Sequence, residues 1–167
     1  MKKKIMSSVL IVVMFGLLYG YWTEWRFERI RITGSKIYYI DEYKDYYYKT
    51  VYKPNTMPAP FGSNGEIIYF LPGQKEKMMS KIKEDVINEL EGVIEKHSDI
   101  FYKYEISDDF KQLLIYEASG DIDIRKHGEI NRETLGPVQS LMWLYHNIKN
   151  GRSGDVSQVV IFVKPDD

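Results

Sequence analysis

Hydrophobic and polar positions divide the chain into three stretches of different character. Lys2-Lys3-Lys4 precede an uncharged run from Ile5 to Trp22, 18 residues with no polar face. Between Thr23 and Gly65, apolar and charged positions alternate over short distances and end in a loop containing Pro54, Pro58, Pro60 and Gly62. From Glu66 onward the pattern becomes regular. Residues 1–22, 23–65 and 66–167 are therefore read as a helix, a connecting segment and the body of the fold.

In the body, Glu66 to Leu71 is a short apolar run closed by Pro72-Gly73, which predicts a buried strand. Met78, Met79, Ile82, Val86, Leu90, Val93 and Ile94 then recur at spacings of three and four, predicting an amphipathic helix from about Gln74 to His97. Tyr102, Tyr104 and Ile106 alternate with Lys103 and Glu105. The turn Ser107-Asp108-Asp109 joins that strand to a second one over Gln112–Ala118, and the short connection predicts an antiparallel hairpin. A polar loop, Ser119 to Glu133, precedes a helix from about Leu135 to Asn150. Pro137 suits its first turn and Gly151 its end. Val138, Leu141, Met142, Tyr145 and Ile148 form the buried stripe of that helix. The unbroken Val159-Val160-Ile161-Phe162-Val163 predicts a central strand covered on both faces. The order is β-α-β-β-α-β, so the expected fold class is α+β, a ferredoxin-like domain with two helices on one four-stranded antiparallel sheet. That order serves many unrelated functions and assigns none.

In the connecting segment, Ile30 and Ile32 alternate with Arg29 and Arg31 as in a half-exposed strand. Thr33-Gly34-Ser35 reads as a turn and Lys36 to Ile40 as a further strand. A strand over Tyr43–Lys53 would put Tyr46, Tyr48, Thr50 and Tyr52 on one side. These are expected as extra β segments beside the body.

The first 22 residues read as an uncleaved transmembrane signal-anchor. Eighteen residues span about 27 Å at about 1.5 Å each, near a hydrocarbon thickness of roughly 30 Å. Trp22 and Trp25 sit where such a helix would leave the bilayer, and aromatic rings favour that interface. The three lysines favour keeping the N-terminus inside. These features predict a single-pass protein at the cell membrane, its body extracytoplasmic, with lipid and other membrane or envelope proteins as partners. A cleaved signal peptide, leaving a secreted domain, is the competing reading, but Leu18 at the −3 position suits cleavage poorly. Gly16 and Gly20 form a G-x-x-x-G pair, a candidate contact between two such helices.

Composition narrows the function. Apolar residues make up 44% of the chain, and 14 tyrosines argue for a folded body rather than disorder. Without the three N-terminal lysines, 20 basic residues face 24 acidic ones, a net −4 that argues against a nucleic-acid partner. The chain has no cysteine, which excludes disulfides, thiolate catalysis and Cys-ligated metals.

No motif points to catalysis, cofactor or metal. His97, His127 and His146 lie at no ligand spacing. Asp121-Ile122-Asp123 opens like a calcium loop, but Arg125, Lys126 and Arg132 occupy positions that such a loop needs for other residues. Ser80-Lys81-Ile82-Lys83 gives Ser-x-x-Lys on a helix face rich in other lysines. What remains distinctive is Tyr interleaved with Lys. Tyr46, Tyr48, Lys49, Tyr52 and Lys53 form a candidate surface for a polymer or partner, their rings flanked by ammonium groups. The expected role is a non-catalytic interaction module; a ligand-binding module or an enzyme without a recognisable motif is the alternative. An interaction module should expose an apolar or aromatic patch, and an enzyme a concave pocket with converging titratable groups.

Overall fold

The computed structural model describes residues 2–22, 26–33, 37–53, 65–119, 135–151 and 159–165. In chain order the elements are α1 (Lys2–Gly20), β1 (Glu28–Thr33), a 3-10 segment (Ile37–Tyr46), β2 (Lys49–Lys53), β3 (Gly65–Phe70), α2 (Gln74–Lys96), β4 (Phe101–Ile106), β5 (Gln112–Glu117), α3 (Leu135–Asn150) and β6 (Val159–Val163). Trp25, the Gly34-Ser35 turn, the proline loop, His127 and the acidic loop with Asp121 and Asp123 lie outside the described residues.

Both helices of the body follow the sequence pattern. Along α2, Met78, Ile82, Val86, Leu90 and Val93 are buried, and along α3 the whole expected stripe is buried. Gly73, at φ 76°, turns the chain out of β3 into α2, and Gly151, at φ 69°, ends α3 with its N–H on the Ile148 carbonyl. Both positions need the left-handed backbone that glycine adopts without steric cost. The β4–β5 hairpin is antiparallel, as its short turn requires. Ser107 Oγ accepts the Gln112 N–H and donates to Asp109, tying the turn together. Phe110 also has a positive φ, and its buried ring lies tilted against Tyr145 with centroids 4.3 Å apart, which holds that backbone in place.

The single four-stranded sheet does not form. The strands make two three-stranded sheets, ordered β1-β3-β2 and β4-β5-β6. β3, expected beside the hairpin, pairs antiparallel with β1 and β2 and so has both edges filled by upstream strands. In a ferredoxin-like sheet the first strand lies between the last two. With β3 drawn away, β6 closes onto β5 directly, and the two run parallel. The expected central strand is thus an edge strand. Val160 and Phe162 pack toward the core opposite Leu113 and Ile115, while Val159 and Ile161 are exposed. Its unbroken apolar run reflects one buried face and one open apolar face.

The expected strand over 36–40 is also replaced. Ile37–Tyr46 forms two 3-10 turns meeting at Tyr43, whose φ −109° and ψ 20° interrupt the helix. Ile40 and Tyr43 are three apart and both buried, the spacing that stacks side chains in a 3-10 helix. The Tyr43 hydroxyl donates to Asp85 at 2.8 Å, and Asp85 also pairs with Lys81 at 2.9 Å. Ile30, Ile32, Ile40, Tyr43, Ile68 and Phe70 join α2, α3 and the second sheet in one core.

Among the described residues, no helix is long and apolar enough to cross a membrane. The 19-residue α1 spends its first three residues on Lys2-Lys3-Lys4, leaving 16 uncharged ones. These span about 24 Å against a hydrocarbon thickness of about 30 Å. Tyr21 and Trp22 continue in a wider π-type turn. This overturns the transmembrane signal-anchor, the single-pass extracytoplasmic placement and lipid as a partner of the N-terminal helix. Within α1, the apolar side chains from Val9 to Tyr19 are exposed by half or more. A Cβ added at Gly16 would meet nothing within 4 Å.

Candidate functional site: a cation–aromatic sheet face

The outer side of β1-β3-β2 is built by strand alternation. Inward, Ile30, Ile32, Ile68 and Phe70 enter the core. Outward, the register brings Arg29, Tyr69 and Lys49 into one cross-strand row and Arg31, Ile67 and Val51 into the next. No acidic residue occupies either row. Adjacent strands lie about 4.8 Å apart, so Arg29 and Lys49 flank Tyr69 at roughly 10 Å from each other. Arg29 and Arg31 are both exposed.

An aromatic cluster continues this face. The Phe27 ring stacks on Tyr48 with centroids 4.8 Å apart and meets Tyr69 edge-on at 6.4 Å. The Arg26 guanidinium lies 4.5 Å from the Trp22 ring centroid and 4.7 Å from that of Phe27. Lys49 Nζ sits 4.6 Å over Tyr69. A cation over an aromatic ring is attracted by the ring's negative face, so these contacts preset the positions of Arg26 and Lys49. The Tyr48 N–H donates to the Tyr69 carbonyl at 2.8 Å, docking the cluster to the central strand.

The structure separates the residues that the sequence grouped. Tyr48, Lys49 and Trp22 meet in this cluster. Tyr46 belongs to the 3-10 segment and tilts against Tyr43 at the core. Tyr52 is exposed but lies in the Ile32–Glu66 row. Lys53 is opposite Gly65 in the register, and its side chain, like Trp25, lies outside the described residues. Gly16 and Gly20 are on α1. Sequence reading missed Arg26, Phe27, Arg29, Arg31 and Tyr69 as parts of the site. The usable signal was Arg26-Phe27 before the alternating Arg29–Ile32 strand, because a strand with a buried Ile30 and Ile32 must turn Arg29 and Arg31 outward.

At the other margin of this sheet, burial first and then the charge of Asp41 raise the Glu66 carboxyl above its ordinary range. Burial, Asp41 and Glu66 likewise raise the Tyr47 phenol. The acidic margin and the cationic outer face are thus on different sides of one thin sheet. His146 has a structural position: Nδ1 lies 3.2 Å from the Asp109 carbonyl and Nε2 2.9 Å from Asn150, joining α3 to the hairpin turn.

Among the described residues, one open groove of about 430 Å³ lies beside Tyr46, Glu76 and Ser80 and another of about 410 Å³ between α2 and β4. Among the described residues, no group of three or more His, Asp or Glu side chains is placed to hold a metal ion. No family model matches the chain, and no curated protein or solved structure is recognisably similar to it.

Proposed function

We propose that this chain is a non-catalytic interaction module that binds an acidic polypeptide segment on the outer face of its first sheet. The observation that carries this reading is the pair of outward rows in which Arg29, Arg31 and Lys49 surround Tyr69 without an acidic residue among them. Arg29 and Arg31 are two residues apart on β1, about 6.8 Å, the repeat of alternate side chains along an extended peptide. An acidic chain lying parallel to β1 can therefore meet both with successive carboxylates. Ring stacking on a sugar is less favoured, because Arg26 and Lys49 already occupy faces of Trp22, Phe27 and Tyr69. The surface offers held cations rather than bare ring platforms.

The test is titration of the full chain with a fluorescent hexaglutamate peptide at low and moderate salt. Binding should weaken as salt rises, and the double variant Arg29→Glu/Arg31→Glu should lower affinity by more than about tenfold, or about 1.4 kcal/mol. A sulfated polysaccharide that binds the native chain and loses affinity in that variant, while the peptide fails to bind the native chain, would replace the polypeptide reading. The alternative of an enzyme has less behind it: in the groove beside Tyr46, Lys81 already pairs with Glu84 and Asp85, a helix-surface ion pair rather than a poised acid–base couple.

A further inference from the structure

The groove between α2 and β4 differs in kind from the cationic face. It encloses about 410 Å³ and is lined by Glu91, Ile94 and Glu95 of α2 and by Tyr102, Lys103 and Tyr104 of β4. An irregularity at Tyr102 brings Tyr102 and Lys103 to one face, where both reach the Tyr116 ring, while Tyr104 turns to the core side. A groove lined by all three runs along the strand's edge. β4 is an edge strand, and among the described residues its only ladder partner is β5.

The ladder also shows which main-chain groups face the groove. The Ser107 N–H bonds the Gln112 carbonyl, and hydrogen-bonded pairs alternate along an antiparallel ladder. Glu105 opposite Leu114 and Lys103 opposite Tyr116 are then the bonded pairs. Tyr104 and Ile106 turn their N–H and C=O groups away from β5, and those of Tyr104 open onto the groove. The irregularity between Phe101 and Lys103 falls at Tyr102, within the groove's lining, and the pairing resumes with Phe101 opposite Glu117.

The helix wall carries charge of one sign. Glu91 and Glu95 are one helical turn apart on the groove side, and both are exposed. Lys103, the cation of the lining, is engaged by Glu105 at 2.5 Å, so it does not cancel them. Half-buried Ile94 and Tyr104 supply an apolar floor.

We infer that this groove takes an extended basic polypeptide segment, which adds to β4 as a further strand and sets its Lys or Arg side chains against Glu91 and Glu95. Main-chain bonds to Tyr104 provide affinity in any sequence, and the acidic wall selects for cations. The site is separate from the cationic face in place and in sign, so each can fail without the other.

The probe is a capped, fluorescent hexapeptide of alternating Lys and Val, titrated against the full chain. Saturable binding is expected, with amide-exchange protection gained at Tyr104 and no saturable binding by the Glu-Val counterpart. N-methylation of alternate amides, which removes the strand hydrogen bonds and leaves the charges, should abolish binding. The exposed double variant Glu91→Gln/Glu95→Gln should bind about tenfold more weakly with an unchanged circular dichroism spectrum. Equal affinity for the N-methylated peptide, equal affinity in the double variant, or no saturable binding of the Lys-Val peptide would overturn the inference.

Discussion

On the outer side of β1-β3-β2, Arg29, Arg31 and Lys49 surround Tyr69, and the rows they occupy hold no carboxylate. On the outer side of β4-β5-β6, Lys103 is paired with Glu105 and lies 4.6 Å over the Tyr116 ring, beside the exposed apolar Val159 and Ile161. Hydrogen bonds from Lys103 and then Tyr116 hold the Glu105 carboxyl below its ordinary range, and the bond to Glu105 raises Lys103. The second sheet thus neutralises its charges locally, whereas the first concentrates one sign. Both sheets bury the same kind of aliphatic face in one core. The difference lies in what alternation sends outward, a paired Lys–Glu couple on the second sheet and cations around an aromatic ring on the first.

The two sheets share one core and should therefore stand or fall together. Ile68 and Ile115 are fully buried on the central strand of each sheet. Ile68→Ala and Ile115→Ala should each cost about 2–5 kcal/mol, as truncation of a buried aliphatic residue does. Urea unfolding should keep a single transition in both variants, with tyrosine fluorescence and far-ultraviolet dichroism changing together. If Ile115→Ala left a separate transition for the first sheet, the shared core would not be cooperative.

The helices and the hairpin were legible in the sequence, and the sheet architecture was not. Periodicity reports which face of an element is buried, and α2, α3 and the β4–β5 turn are settled by that local information. Pairing between distant strands is not local. Glu66–Phe70 reads as a buried strand whether its neighbours lie upstream or downstream, and the choice of β1 and β2 depends on competition for its two edges. The Val159–Val163 run misled for a related reason, because an apolar residue on an open outer face looks the same as one under a helix. In Ile37–Tyr46, β-prone Ile and Tyr outweighed the three-residue spacing of Ile40 and Tyr43. Of the candidate site, Tyr48 and Lys49 were legible from composition. Their contacts with Phe27 and Tyr69 needed the register.

A smaller effect concerns how the first sheet's connecting segment is fixed to α2. Tyr43→Phe removes the hydroxyl that donates to Asp85, but Asp85 keeps Lys81. The expected cost is about 1 kcal/mol at neutral pH. Burial, then the hydrogen bond to Asp85 and its charge, raise the Tyr43 phenol well above its ordinary 10.0. Above pH about 10 the unfolded chain ionises there while the folded chain does not. The stabilising share of Tyr43 is therefore whole below that pH and shrinks above it, by about 1.4 kcal/mol per pH unit. Urea midpoints at pH 8 and pH 11 should show the gap between native chain and variant narrowing or reversing. A gap that widened with pH would mean that the phenol is not held neutral by the fold.

The smallest effect separates the two outer faces most directly. Ile161 is 40% exposed on edge strand β6, opposite Leu114 on the outer side of the second sheet. Ile161→Thr keeps a β-branched side chain, which suits a strand, so its loss of stability should stay below about 1 kcal/mol. Removing apolar surface from an exposed edge should instead lower concentration-dependent association, read by light scattering across a dilution series. Arg31→Thr, the matching change on the first sheet, should leave scattering unaltered and weaken hexaglutamate binding. Should Ile161→Thr cost as much as a core truncation, the outer face of the second sheet would be a packed surface, and the contrast between an open apolar face and an open cationic one would no longer hold.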